Sequence, residues 1–270
     1  MPDIRVRNHV QVTGHGPPLL FAHGFGCDQN VWRRVTPRLE MEHTIVTFDY
    51  VGSGKAQRSA YDSKRYGALD GYAHDLIEVC QTLGLRDTVL VGHSVSSMIA
   101  AIAAIQEPHL FDRIVMLAPS PCFIDDPPAY RGGFERRDVE QLLELMDANF
   151  MGWAAAVSQM ALQPPDLARE LRESFCLADP RVLREFARVT FLGDQRELLP
   201  LVRVPCLVVQ CARDDLAPVS VGEYTAAHLP YGSYRLLDIP GHMPHMSHPE
   251  LVEAVIRHYV DQVDPRGGRG

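Results

Sequence analysis

Gly92-His93-Ser94-Val95-Ser96 sets a serine between an apolar, β-branched run and a run of small residues. A serine in that setting can attack a carbonyl carbon. A strand, a tight turn and a helix hold its hydroxyl above a sheet, and small flanking residues let strand and helix approach closely. The common pattern has Gly at the fifth position; Ser96 keeps the small size. The same residues also fit an ordinary serine helix cap. His23-Gly24-Phe25-Gly26 follows an earlier apolar run. Acyl transfer needs backbone N–H donors aimed at the developing oxyanion. Val95, next after the serine, offers one, and Phe25 in the early loop offers the other. A dinucleotide loop is excluded there, because the third glycine of G-x-G-x-x-G would fall on Gln29.

A serine hydroxyl is a weak nucleophile at neutral pH, so an imidazole must take its proton. A carboxylate must orient that imidazole and stabilise its charged form. In the order serine, acid, histidine, Ala212-Arg213-Asp214-Asp215 follows one late apolar run and Gly241-His242 follows the next. The separation leaves room for one helix and one strand. Spacing alone leaves Asp215 open as the acid, and His245 and His248 open as rivals to His242. His242, His245 and His248 also have metal-like spacing, but no Cys or carboxylate stands at a matching ligand distance, so no metal is expected.

The elements that must position these residues are short apolar runs alternating with helical patterns. Runs at 19–22, 44–49, 88–92, 113–117, 204–210 and 234–239 are continuously apolar, as expected for strands covered on both faces of a parallel sheet. Helical spacing covers 69–83, 95–106 and 251–263. The expected class is α/β, with a doubly wound sheet. From about residue 130 to about 199 the rhythm breaks into four helical patterns at 140–150, 152–162, 166–176 and 180–191. An insertion there should lie over the carboxyl ends of the strands, where such sheets bind ligands. The expected organisation is a core of 1–125 and 200–264, a helical lid of 126–199, and a disordered tail of 265–270. Phe123, Phe134, Trp153, Phe175, Phe186 and Phe191 lie mostly in that insertion, either as its own core or as lining of an apolar pocket. Gly52-Ser53-Gly54 reads as a turn.

With 270 residues, the chain suits one large domain. A hydrophobic content of 46% allows a sizeable core. A net charge of −8 argues against a nucleic-acid surface. No apolar stretch has bilayer-spanning length, the first residues lack a signal-peptide core, and the six scattered cysteines contain no C-x-x-C pair. A cytoplasmic protein with small, buried, reduced cysteines is expected.

Taken together, these motifs resemble a subgroup of α/β-hydrolases: the bacterial RsbQ-type stress-response regulators and the plant receptors for strigolactones and karrikins. The resemblance runs over nearly the whole chain. It is carried by His23 to Gln29, Phe48-Asp49-Tyr50-Val51-Gly52-Ser53-Gly54, Gly92-His93-Ser94-Val95-Ser96, Pro119-Ser120-Pro121-Cys122, Gly132-Gly133-Phe134-Glu135, and Gly241-His242 through Pro249. Ser96 is similar to the plant receptors; the His242 segment and Asp125-Asp126-Pro127-Pro128 are similar to RsbQ.

The resemblance implies an α/β-hydrolase fold, mostly parallel and doubly wound, with a V-shaped four-helix lid inserted after the sixth strand. It implies Ser94, Asp214 and His242 as a catalytic triad, with Phe25 and Val95 at the oxyanion hole. It puts Phe134 and Phe191 at pocket-lining positions, Trp153 on the second lid helix, and Asp215 where relatives place a pocket residue. The implied activity is slow hydrolysis of a small apolar ester or lactone without a cofactor. The implied partner is a PAS-containing, PP2C-type serine/threonine phosphatase that activates a stress sigma factor. Carbon–carbon bond hydrolysis of a vinylogous diketone is a further activity of this fold. Dehalogenation would need Asp, not Ser94, in the elbow.

Overall fold

The continuous apolar runs become strands because alternate side chains feed two different cores. In the computed structural model, which describes residues 3–262, the strands are β1 (Gln11–Gly14), β2 (Pro18–Ala22), β3 (Thr44–Thr47), β4 (Thr88–His93), β5 (Phe111–Leu117), β6 (Cys206–Arg213) and β7 (Gly232–Pro240). Leu19, Phe21, Val89, Val91, Val115 and Leu117 enter one core, while Leu20, Ala22, Leu90, Ile114 and Met116 enter the other. The seven strands lie in the order β1-β3-β2-β4-β5-β6-β7. Only β1 is antiparallel, to β3; every other pairing is parallel. The four residues of β1 are all exposed, so no apolar run marks that strand in the sequence.

The helices are α1 (Ile4–Arg7), α2 (Ser63–Tyr66), α3 (Leu69–Leu83), α4 (Val95–Gln106), α5 (Arg136–Ala148), α6 (Phe150–Ala161), α7 (Pro165–Leu177), α8 (Pro180–Leu192), α9 (Val219–His228), α10 (Pro244–Ser247) and α11 (Pro249–Val260). Helices α5 to α8 form the helical insertion: α5 packs on α6 and α8, and α6 packs on α7. The insertion expected after the sixth strand instead follows the fifth, between β5 and β6. The reason is local. Residues Ile4–Arg7 form one helical turn, capped by the Asp3 side chain accepting from the Arg5 N–H, and add no further edge strand. Helix α5 starts ahead of its apolar pattern because its first turn, Arg136-Arg137-Asp138, is charged and exposed. The tail read as 265–270 lies outside the described residues.

The central pair β4–β5 sets the stage for Ser94. His93 pairs with Leu117, and the Ser94 N–H then donates to the Leu117 carbonyl at 2.8 Å, which carries the sheet one residue past the strand end. Helix α4 starts at the next residue and turns back so closely that a Cβ on Gly92 would lie 2.6 Å from the Ser96 carbonyl oxygen. Gly92→Ala must therefore push α4 off β4. The expected loss is about 1–3 kcal/mol, as for other overpacked sites, measured by urea unfolding; an unchanged midpoint would show that the elbow has slack.

Candidate active site

Ser94 sits at φ 55° and ψ −124°, in the left-handed region that non-glycine residues rarely occupy. Such strain persists only where the surroundings over-determine it. Ser96 supplies part of that constraint. Its hydroxyl donates to the His23 carbonyl and accepts from the Tyr50 hydroxyl at 3.0 Å, tying the elbow to the loop after β2. The fifth position of the motif is thus a polar tie as well as a small residue. Val95 is the first residue of α4, so its N–H has no carbonyl one turn earlier to pair with.

Asp214 and His242 stand just past the ends of β6 and β7. The Gly241 N–H donates to the Arg213 carbonyl at 2.8 Å, which brings the two strand ends together. Asp214 Oδ1 accepts from the N–H groups of Leu216 and Ala217 at 2.9 and 3.0 Å. Its Oδ2 accepts from His242 Nδ1 at 2.8 Å. With Nδ1 donating, the Nε2 lone pair faces Ser94 Oγ, also at 2.8 Å. All three residues are buried. The His242 N–H donates to the carbonyl of Ala161, the last residue of α6, so the helical insertion helps hold the imidazole.

On the opposite side stands the loop His23-Gly24-Phe25. His23 Nδ1–H donates to the Gly24 carbonyl at 2.9 Å, and Nε2 accepts from the Tyr50 N–H at 3.2 Å. Burial lowers the His23 pKa, which suits that neutral tautomer. The His93 ring fills the space beside this loop: a Cβ on Gly24 would lie 2.4 Å from His93 Nδ1. His93 Nε2–H donates to the His242 carbonyl at 2.9 Å. Burial first, then the nearby His245 and His242, hold the His93 pKa well below the ordinary imidazole value.

Ser94 and His242 open into a cavity of about 30 Å³ lined by Phe25, Phe123, Val157, Leu171, Phe175 and Phe191, among others. That volume suits a water molecule, not an ester. Phe191 lines the cavity. Trp153 stands behind the wall, edge-on to Phe25 at 6.1 Å and against Phe175 at 5.0 Å. Two expectations are corrected. Phe134 is only half-buried and lies outside the lining, because its backbone pairs with Phe123 and Asp125 in a loop at the edge of the insertion. Asp215 is exposed and does not enter the pocket; the turn that folds the Leu216 and Ala217 amides onto Asp214 sends Asp215 outward and Leu216 inward. That placement also removes Asp215 as a rival acid. Cys27, His93, Leu216 and Thr190 line the cavity without having been singled out from the sequence. His93 and Cys27 stand inside sequence motifs that gave them no pocket role, and Thr190 stands next to Phe191 on a helical pattern.

The rival histidines have other places. His248 Nδ1 pairs with Ser247 Oγ at 2.9 Å. His245 is fully buried between Trp32 and His93, 4.4 Å from each ring centre. Among the described residues, no group of three His, Cys, Asp or Glu side chains could hold a metal ion. Five of the six cysteines are buried; Cys176 is exposed.

A seven-stranded sheet of this order, with a serine–histidine–aspartate relay assembled at its strand ends, has the architecture of the alpha/beta hydrolases. The model of the alpha/beta hydrolase family matches residues 19–255, and the chain belongs to that family. Its curated relatives narrow the kinship to the strigolactone and karrikin receptor subgroup that the motifs resemble. A probable esterase of Oryza sativa subsp. japonica is 36% identical over 266 residues, covering 96% of this chain and 98% of that protein. A strigolactone esterase of Pisum sativum is 36% identical over 248 residues, covering 90% and 93%. The karrikin insensitive 2 receptor CA of Petunia hybrida is 34% identical over 265 residues, covering 96% and 98%. Among solved structures, a hydrolase from Oleispira antarctica superposes with a TM-score of 0.95 at 42% identity, covering 97% of each chain.

His245 generates a pH prediction. Burial, and then the charge of His242, push its pKa down to about 3, and neither ring nitrogen has a partner among the described residues. An unfolded histidine takes its proton near about 6.5. The folded ring stays neutral, so its contribution to stability is full above that pH and is lost as pH falls toward about 3. His245→Phe keeps the stacking and removes the titration. Its Tm should fall less than that of the parent protein between about pH 6.5 and about pH 4; parallel Tm curves would show that this ring is not the acid-sensitive group.

Proposed function

We propose that the protein is a serine hydrolase that cleaves a small, mainly apolar ester or lactone beneath a lid formed by residues 126–199. The observation that carries this reading is the relay Asp214–His242–Ser94, with 2.8 Å at each hydrogen bond, opening into an apolar cavity. Ser94 Oγ adds to the carbonyl carbon as its proton passes to His242 Nε2. The oxyanion forms toward the amides of Val95 and Phe25. The C–O bond to the leaving group then breaks, and His242 returns the proton to the departing oxygen. Water adds to the acyl-enzyme carbonyl as His242 takes its proton; the bond to Ser94 Oγ then breaks, His242 returns the proton to Oγ, and the acid leaves. Asp214 stabilises the imidazolium in both halves. Because the cavity holds only about 30 Å³, the residues of α6, α7 and α8 that line it must move to admit a substrate. The names of the relatives support this substrate class: a strigolactone esterase and a karrikin receptor.

A second reading places the same hydrolysis in signalling, with the lid state read by a PAS-containing PP2C-type phosphatase. Its signalling part, not the choice of a phosphatase, draws support from the receptor relative of Petunia hybrida and from the hydrogen bond of the His242 N–H to lid residue Ala161, through which events at the base reach the lid. We place the protein in the cytoplasm. The cysteines form no disulfide, and no described helix is long and apolar enough to cross a membrane.

Hydrolysis of 4-nitrophenyl acetate and of a strigolactone analogue tests the first reading. Ser94→Ala should lose about 10³-fold or more in kcat, and Asp214→Asn about 10⁴-fold, with Tm within a few degrees of the parent. Folded variants that keep full activity would overturn it.

A further inference from the structure

We infer that the Thr190 hydroxyl is a recognition group, and that the substrate carries a second oxygen acceptor besides the carbonyl attacked by Ser94. This rests on the hydrolase reading above and narrows its substrate class.

The lid side of the cavity is built from Val157, Ala161, Leu171, Phe175, Thr190 and Phe191. Thr190 is the one hydroxyl among them. It is 6% exposed, and its Oγ1 has no hydrogen-bond partner among the described residues. A threonine within a helix ordinarily satisfies its hydroxyl by donating to the carbonyl three or four residues earlier. Thr190, inside α8, does not. A buried, unpaired hydroxyl destabilises a fold, whereas a valine of the same shape would not. Of the other polar groups of the cavity, Ser94 is engaged with His242 and His242 with Asp214, while His93 Nδ1 has no partner among the described residues but is an acceptor, not a donor. His93 has its donor on the His242 carbonyl. The Cys27 thiol stays protonated, since burial pushes its pKa up, and a thiol is a weak donor.

Thr190 and Ser94 come from opposite walls. Ser94 stands on the sheet; Thr190 hangs from the lid. When the lid admits an ester or lactone, the scissile carbonyl lies at the elbow, and Thr190 faces a part of the substrate that does not react. The hydroxyl can donate as well as accept, and a mainly apolar ester or lactone offers oxygen acceptors rather than donors, so the matching group is an acceptor: an ether oxygen, a ring oxygen or a second carbonyl. An all-carbon isostere would leave the hydroxyl as unpaired as it is now. Discrimination of this kind, from a buried polar group left unpaired by the wrong substrate, is stronger than that of an apolar wall.

The test compares 4-nitrophenyl esters that differ by one atom: methoxyacetate against butyrate, 3-methoxypropanoate against pentanoate, and 4-methoxybutanoate against hexanoate. Intrinsic reactivity cancels when each ether-to-carbon ratio of kcat/KM is compared between the parent protein and Thr190→Val. We expect the ratio to fall about three- to tenfold in the variant for at least one pair, with a Tm equal to or above the parent's. Unchanged ratios in every pair, from a protein that hydrolyses the esters, would overturn this inference alone and leave an ordered water as the hydroxyl's partner. A lower Tm in Thr190→Val would show a hydroxyl already paired within the fold and overturn it too. A parent protein inert to every ester would overturn the hydrolase reading, and this inference with it.

Discussion

A residue other than glycine remains at φ 55° only when its neighbours leave it no better place, and the site is arranged around that constraint at Ser94. The sheet holds it from one side through the Leu117 carbonyl. Helix α4 holds it from the other, close enough that Gly92 has no room for a side chain. The His93 ring then fixes what faces the serine. It is wedged against Gly24 of the loop after β2 and donates to the carbonyl of His242. One imidazole therefore spaces the loop that carries Phe25 from His242. Ser96 repeats the connection through the His23 carbonyl.

The surroundings of the relay decide how strong it is. Ser94, His242 and Asp214 are all buried, and charge–charge and hydrogen-bond interactions are stronger where water is excluded. The helical insertion supplies much of that exclusion, and it does more than cover. The carbonyl of Ala161, which ends α6, has no acceptor role inside its own helix. It is satisfied by the His242 N–H instead. The position of the helical insertion and the orientation of His242 are thus parts of one hydrogen-bonded structure.

Farther out, a buried polar network holds the neighbouring loops. Asp75, fully buried, pairs with Arg7 at 2.9 Å and Arg65 at 2.7 Å and accepts from Asn8 at 3.0 Å. Asn8 also donates to the carbonyl of Asp49, whose carboxylate caps the N–H groups of Gln29 and Lys55. Buried ion pairs add little net stability, but breaking one is destabilising. Here the network fixes the exit of β3 and the turn through Gly52-Ser53-Gly54 beside the loop that carries Phe25.

The parallel strands, the serine elbow and the order serine–acid–histidine were legible from the sequence. Each depends on local chemistry: two-sided burial demands continuous apolar runs, a tight turn demands small residues, and strand ends carry the reactive groups. The exposed strand β1 left no such mark. Direction in space was not legible. Asp214 and Asp215 are adjacent and chemically alike, and only the turn that folds two amides onto Asp214 decides which points inward. His242 and His245 differ in the same way: one meets a serine, the other an indole ring. Phe134 and Phe191 are both aromatic residues of the same region, yet packing sends one to the loop edge and the other to the cavity. Residue type and spacing by themselves determined the fold and the chemistry available to it. Which of several equivalent side chains faces the cavity, and that Thr190 does so unpaired, were decided only by tertiary packing, because a side chain's direction is set by neighbours far away in the chain.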